Sequence, residues 1–443
     1  MAAWRAMTAA ELGRGIAAGQ ICPVALAEHF LEAIAADPVG PRIYARTMEQ
    51  QALDVAMAAR ARARAGLRRG PLDGVPVAWK DLFDTAGVAT EAGSALLKGR
   101  VPARDAVVVS RLTGAGMPPL GKTHMTELAF SGLGLNPVTA SPPCVNDPEA
   151  ASGGSSSGSA AAVAFGLAPV AIGSDTGGSV RLPAAWNDLV GLKTTAGRVS
   201  LGGVVPLAAR FDTVGPLAKS VEDAALAFAL LDGTPAPDLR GSAVDGMRLL
   251  LLETVALDGL HPAVAAGFDD AVARLSAAGA RVTRGAVPAM AEAMDLAGIL
   301  YTTECYGTWG AAIEASPDLM FAPVRERFRA GGTHRASDYV AAWLRLDAIR
   351  ADWAQAVAGY DAVIVPSAAN LPPKAAPLLA DPAAFAAENL LTLRNTRIGN
   401  LSGGCSLTLP TGHPSVGVTL LAPPMDEARL LRLGAAAEAA LAR

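Results

Sequence analysis

Two serines in glycine settings and one lysine in an apolar strand have the residue types and surroundings to do chemistry. Ser155 follows Gly153-Gly154, and Ser179 follows Asp175-Thr176-Gly177-Gly178. They stand 179 − 155 = 24 residues apart, with a run of small apolar residues between them. The stretch that carries both, Ser152 to Lys193, is too polar for a buried core and too regular for a linker. A serine becomes a useful nucleophile only when a base takes its proton. None of His29, His124, His261, His334 and His413 lies in a triad context, and His124, near the loop, reads as a structural hydrogen-bonding residue. Lys80 is the remaining base. In LDGVPVAWKDLFD, Val75, Val77 and Trp79 alternate with Pro76, Ala78 and Lys80, which is a strand pattern. A lysine there either guards a sheet edge or is a buried functional amine. Its unperturbed pKa is about 10.4, so it acts as a base only if burial and neighbours lower that value.

Other chemistry for the glycine-serine loops fits less well. A phosphate-binding loop needs Gly-Lys-Ser/Thr after its glycines, and none follows here. Gly153-Gly154-Ser155-Ser156-Ser157-Gly158 is a poor dinucleotide fingerprint. Gly177-Gly178-Ser179-Val180-Arg181 lacks the second glycine of a nucleophile elbow.

The elements that must position these residues are readable in outline. Thr8, with Glu11 three residues later, forms a capping box. Helices are expected over 23–36 and 50–67, packed on the outside of the later segments. Further helices are expected over 105–115, 159–166, 220–231, 261–278, 290–309, 336–358, 394–401 and 426–441. Strands are expected at 118–122, 169–173, 190–193, 247–252, 281–283, 362–366, 406–409 and 415–421. Strands alternating with helices predict an α/β fold: one large domain whose central mixed sheet is covered by helices on both faces. No internal repeat is visible.

Composition narrows the partners. Hydrophobic residues make up 51% of the 443, enough for a large core. A net charge of −4 argues against nucleic acid, which needs concentrated Lys and Arg. The basic run RARARAGLRR at 60–69 reads as a solvated helix face. Cys22, Cys144, Cys305 and Cys405 form no C-x-x-C, so a reducing cytoplasm is expected rather than a disulfide framework. No apolar run reaches the roughly 18 residues of a membrane span, so no membrane partner is expected. A homodimer is left open.

Several motifs in order carry a resemblance. They are Val77-Ala78-Trp79-Lys80-Asp81, Gly121-Lys122-Thr123, Gly153-Gly154-Ser155-Ser156-Ser157-Gly158-Ser159-Ala160, Gly173-Ser174-Asp175-Thr176-Gly177-Gly178-Ser179-Val180-Arg181, Pro183-Ala184-Ala185 and Gly191-Leu192-Lys193. The chain resembles the amidase signature family, the Ser-cisSer-Lys amidohydrolases, most strongly over about residues 70 to 220. The resemblance implies an amidase domain over 1–443. Its parts would be a helical segment (1–69), the signature core (70–220) and a segment that completes the sheet and pocket (221–443). It also implies that Ser179 is the nucleophile, Ser155 the bridging serine and Lys80 the base, with a cis Gly154–Ser155 peptide. Backbone N–H groups of Thr176, Gly177, Gly178 and Ser179 would form the oxyanion hole, with Ser156, Asp175 and Arg181 in support. Glycines suit that role, since a backbone without Cβ atoms can approach the substrate. No metal or cofactor is implied.

The reaction implied is hydrolysis of a small-molecule carboxamide to a carboxylate and ammonia or an amine, through a Ser179 acyl-enzyme. Three alternatives stand beside it: the glutamine-hydrolysing A-subunit of a tRNA-dependent amidotransferase, a urea- or biuret-type carbamoyl hydrolase, and a silent scaffold. The A-subunit normally carries an Arg-Ile-x-Leu-Gly-Thr run, where this chain has Val324-Arg325-Glu326-Arg327-Phe328-Arg329-Ala330-Gly331. An intact Lys80, Ser155 and Ser179 argue against a scaffold. Three departures, Trp186-Asn187-Asp188-Leu189, Lys193-Thr194-Thr195-Ala196-Gly197 and Ser157, miss the triad. Candidates for the substrate pocket are Ala129, Phe130 and Ser131, with Tyr301, Glu304, Tyr306 and Trp309 along one helix. Phe130 and Trp309 would suit an apolar acyl group. Arg394 and Arg397 would instead recognise a carboxylate or sit on a helix surface.

Overall fold

The computed structural model describes residues 2–442. Eleven strands form one mixed sheet. They are β1 (Tyr44–Thr47), β2 (Val77–Lys80), β3 (Pro119–Thr123), β4 (Val170–Asp175), β5 (Val190–Lys193), β6 (Thr213–Ala218), β7 (Arg248–Leu252), β8 (Arg281–Gly285), β9 (Ala362–Pro366), β10 (Cys405–Pro410) and β11 (Gly417–Ala422). Their order is β1-β3-β2-β4-β6-β5-β10-β11-β9-β7-β8. β2 runs parallel to β3 and β4, and β7 runs parallel to β8 and β9, while the remaining pairs are antiparallel. Helices flank this sheet, and the α/β reading holds.

β2 lies between β3 and β4, so Lys80 is not an edge lysine. Every residue of β2, β3 and β4 is buried. That explains their near-continuous apolar runs, as expected where both faces of a sheet are covered. The Thr8 capping box is present, and Ser220 caps the helix Val221–Asp232. Most other expected elements occur within a few residues of their expected ends.

Two strands escape a sequence reading. β6 (TVGPLA) contains Gly215 and Pro216, residues that weaken or interrupt a ladder. It nevertheless sits centrally, between β4 and β5. A Cβ on Gly215 would lie 1.8 Å from the Leu192 carbonyl oxygen, so close strand packing requires that glycine. β1 (YART) is short and partly exposed at the sheet margin.

The basic run is less solvated than expected. The helix Glu49–Arg64 ends in it, and Arg62 chelates the buried Asp73 at 2.6 and 2.9 Å. Among the described residues no helix is long and apolar enough to cross a membrane.

Candidate active site

The C-terminal ends of β2 and β4 bring the chemistry together. Lys80 closes β2 and is fully buried. Its Nζ donates to Ser155 Oγ at 2.7 Å and to Ser174 Oγ at 2.8 Å. Burial drives its pKa down to about 7, against an upward pull from the carboxylates of Asp175 and Asp212. The neutral amine that the chemistry needs is therefore abundant near neutral pH.

Ser155 precedes the helix Ser157–Ala164, and the Gly154–Ser155 peptide is cis. Ser156 laces this loop to its neighbours. Its N–H donates to the Ser179 carbonyl (3.2 Å), and its Oγ donates to the Ser174 carbonyl (3.2 Å) and accepts from the Ser174 N–H (3.3 Å). Asn187 Nδ2 donates to the Ser152 carbonyl at 2.7 Å. One departure from the family pattern thus helps to fix the loop.

Ser179 lies between β4 and the helix Arg181–Trp186, on a turn organised by Asp175. Asp175 Oδ1 accepts from the Gly178 N–H (2.9 Å), Arg181 Nη2 (3.0 Å) and Asn400 Nδ2 (2.9 Å). Its Oδ2 accepts from Arg181 Nε at 3.0 Å and from the Val180 N–H at 3.2 Å. The ion pair with Arg181 holds the carboxyl well below the usual carboxylate range despite complete burial. Arg181 also donates to the Thr396 carbonyl and to Asn400 Oδ1, both at 2.6 Å. Gly178 has φ +135°, and a Cβ there would meet Thr396 Oγ1 at 2.1 Å. Only glycine fits.

This network changes the expected oxyanion hole. The N–H of Gly178 is taken by Asp175. Among the described residues, the N–H groups of Thr176, Gly177 and Ser179 make no such bond. The structure joins Lys80 to Ser155, but no hydrogen bond joins the Ser155 and Ser179 hydroxyls. Such contacts commonly tighten only once substrate is bound.

Ser179 opens into a narrow cavity of about 20 Å³. Its lining includes Ala129, Phe130 and Ser131, as expected, together with Thr176, Gly177 and Leu207. A larger cleft of about 390 Å³ beside Trp353 and Asp361 contains none of the expected site residues. The smaller cavity is the one that Ser179 lines. Leu128 and Ala129 adopt left-handed backbone conformations (φ 45° and 60°), a cost usually borne at functional sites. The buried Glu127 carboxylate anchors them, accepting from Ser94 Oγ (2.8 Å) and from the Phe321 N–H (2.9 Å). Burial lifts its pKa to about 7.

Tyr306 and Trp309 do not line this cavity, contrary to expectation. The Tyr306 hydroxyl donates to Glu314 and Trp309 Nε1 to the Pro206 carbonyl. Tyr301, on the same helix Ala289–Ala315, is the residue that faces it. At 1.5 Å of rise per residue, Trp309 lies roughly 12 Å further along the axis. Glu304 instead accepts from the Arg210 N–H and the Tyr339 hydroxyl. Of the two arginines on Pro382–Leu401, Arg397 lines the cavity and Arg394 does not.

Several site residues escaped the sequence reading. Ser174 is the second acceptor for Lys80. Asp212 accepts from Thr176 Oγ1 at 2.5 Å and fixes the start of the turn. Arg327 lines the cavity from the helix Ala322–Arg329. Ser174 had one local signal, its place directly before Asp175 at the end of an apolar strand. Asp212 and Arg327 had none, because tertiary folding alone brings them near.

The fold agrees with comparison to known proteins. The chain belongs to the Amidase family, which it matches over residues 25–431. It is a hydrolase of the kind that acts on amide C–N bonds, and a Ser-Ser-Lys triad characterises the family. It is 36% identical to 2-amino-5-chloromuconic acid deaminase of Comamonas testosteroni, over 84% of this chain and 82% of that protein. It is 32% identical to the glutamyl-tRNA(Gln) amidotransferase A-subunit of Thermobifida fusca, over 98% and 96%. A crystal structure of an amidase superposes with a TM-score of 0.87 at 31% identity, covering 98% of this chain and 99% of that one.

Proposed function

We propose that the protein is a serine amidase. It hydrolyses a small carboxamide to a carboxylate and ammonia or an amine, through an acyl-enzyme on Ser179. One observation carries this reading. A fully buried lysine with a pKa near 7 donates to Ser155 at 2.7 Å, in the loop packed against the turn that holds Ser179.

Neutral Lys80 takes a proton from Ser155 as Ser155 takes one from Ser179. Ser179 Oγ attacks the amide carbon. The oxyanion faces the N–H groups of Thr176, Gly177 and Ser179, each worth about 2.7–4 kcal/mol where one donor is removed. The C–N bond then breaks, and the departing nitrogen takes a proton from Ser155, which Lys80 resupplies. Water enters and loses its proton into the same relay. It cleaves the ester and restores Ser179.

The test is fluorophosphonate labelling of Ser179, with turnover measured on acetamide, malonamate, an aryl-acetamide, a biuret-like urea and glutamine. Labelling that Lys80→Ala removes supports the relay, and absence of labelling in the native protein sinks it. The likeness to an amidotransferase A-subunit supports a second reading, in which glutamine is the substrate and a partner takes the ammonia. Turnover of glutamine with co-purification of a second subunit would favour it. Biuret turnover would favour the carbamoyl hydrolase.

A further inference from the structure

The cavity that holds Ser179 is also lined by two cations and a phenol that have no acidic partner among the described residues. Arg327 and Arg397 both line the space. Among the described residues, neither has a carboxylate within 4.0 Å. Arg181, Arg62 and Arg198, by contrast, each meet an aspartate. Arg327 is held by one hydrogen bond, from Nη1 to the Phe130 carbonyl at 2.8 Å, with its guanidinium 4.1 Å over the Phe130 ring. Arg397 stacks 5.8 Å from the Tyr301 ring centroid, and its stem runs along Gly177, whose Cβ position lies 3.8 Å from Arg397 Cγ. Tyr301 is buried, lines the same space, and its hydroxyl has no partner among the described residues.

Partly buried charge is costly unless it is paired. Burial, and secondarily Arg397, lowers the pKa of Arg327 to about 9. Burial raises the Tyr301 phenol, which therefore stays a neutral donor. An arginine fork matches the two oxygens of a carboxylate. The cavity is narrow, about 20 Å³, room for about one or two waters between these side chains, which limits the ligand to a small molecule.

Resting on the amidase reading above, we propose that Arg397, with Arg327 and the Tyr301 hydroxyl, binds a carboxylate on the substrate. The enzyme then acts on small amides that carry a carboxylate, such as the monoamide of a short dicarboxylic acid. The amide C–N bond breaks and a bond from carbon to Ser179 Oγ forms. The nitrogen leaves with the Ser155 proton. Water then restores Ser179 and frees the dicarboxylate.

The experiment times fluorophosphonate labelling of Ser179 in the intact protein. Malonate, succinate and glutarate are compared with their diamides, which are neutral and of the same shape. At least one dicarboxylate is expected to slow labelling at a roughly 10–100-fold lower concentration than its diamide, the scale of a charge-assisted hydrogen bond. Arg397→Met removes that advantage, and Tyr301→Phe, which keeps the ring, reduces it severalfold. The same ratio appears as kcat/KM for succinamate over succinamide. N-acetylglycine, against N-propylacetamide, tests a carboxylate on the amine side. Equal protection by the diamides, or protection by none of these compounds, overturns the proposal and leaves the Ser179 reading intact. Failure of Ser179 to label at all overturns both.

Discussion

On the wall of the cavity built from Asp175 to Arg181, both oxygens of Asp175 are engaged by a guanidinium, an amide side chain and backbone N–H groups. On another part of the lining, Arg327, Arg397 and the Tyr301 hydroxyl meet the space without any acidic partner. Both walls are polar and both are largely out of water, yet the buried charges of one are paired with each other and those of the other are not. A saturated network holds backbone and nucleophile in one geometry whatever the substrate. An unsaturated one gains its partners only when a ligand arrives. In the account proposed above, the first wall serves the reaction and the second the choice of substrate.

The largest effect separates the walls directly. Ser179→Ala should lower turnover by about 10⁴–10⁶-fold, while the second wall still binds a short dicarboxylate with unchanged affinity by calorimetry. If affinity fell in step with turnover, the two walls would not be independent.

Next come the arginines. Arg181→Met strands a fully buried Asp175 and should cost about 3–5 kcal/mol of unfolding free energy in urea. Arg397→Met breaks no ion pair, so its stability should stay within about 0.5 kcal/mol of the native protein. Equal losses would erase the distinction. Gly178→Ala falls between these two, at about 1–3 kcal/mol, because its φ is +135° and Thr396 Oγ1 stands in the way. Thr396→Ala should recover part of that loss.

Ser174 offers a finer test. Removing its hydroxyl with Ser174→Ala takes one acceptor from Lys80 Nζ and leaves Ser155 in place. A hydrogen bond between these groups favours the charged amine. Ser174→Ala is therefore expected to shift the acid limb of the pH–rate profile to lower pH, by less than one unit. A shift to higher pH would contradict the place given to Ser174.

How much of this was legible before folding depends on range. The proposed triad lies in local motifs, so Lys80, Ser155 and Ser179 could be singled out from residue types and their setting, while the role of each came from the family resemblance. The capping box at Thr8 and Glu11 was readable for the same reason. Strand order was not, since β6 joins β4 and β5 through a segment whose glycine and proline resemble a loop. The second wall was legible only in part: Tyr301 and Arg397 were among the candidates, whereas Arg327 was not, because the three come from separate helices and converge only in the folded protein. Tyr306 and Trp309 had the right chemistry at the wrong axial height. The Gly178 N–H had the right loop but was already engaged by Asp175.

The central claim is that Lys80, held near pKa 7 by burial, is the base that activates Ser179 through Ser155. Lys80 is active when neutral, so reactivity should climb about tenfold per pH unit below 7 and level off above it. The most direct measurement is the rate of fluorophosphonate labelling of Ser179 between pH 5 and 9, in the native protein and in Lys80→Met. The account predicts a single rise with midpoint near 7 in the native protein and a slow, flat profile in the variant. A native profile without that rise, or a variant that labels as fast as the native protein, would contradict it.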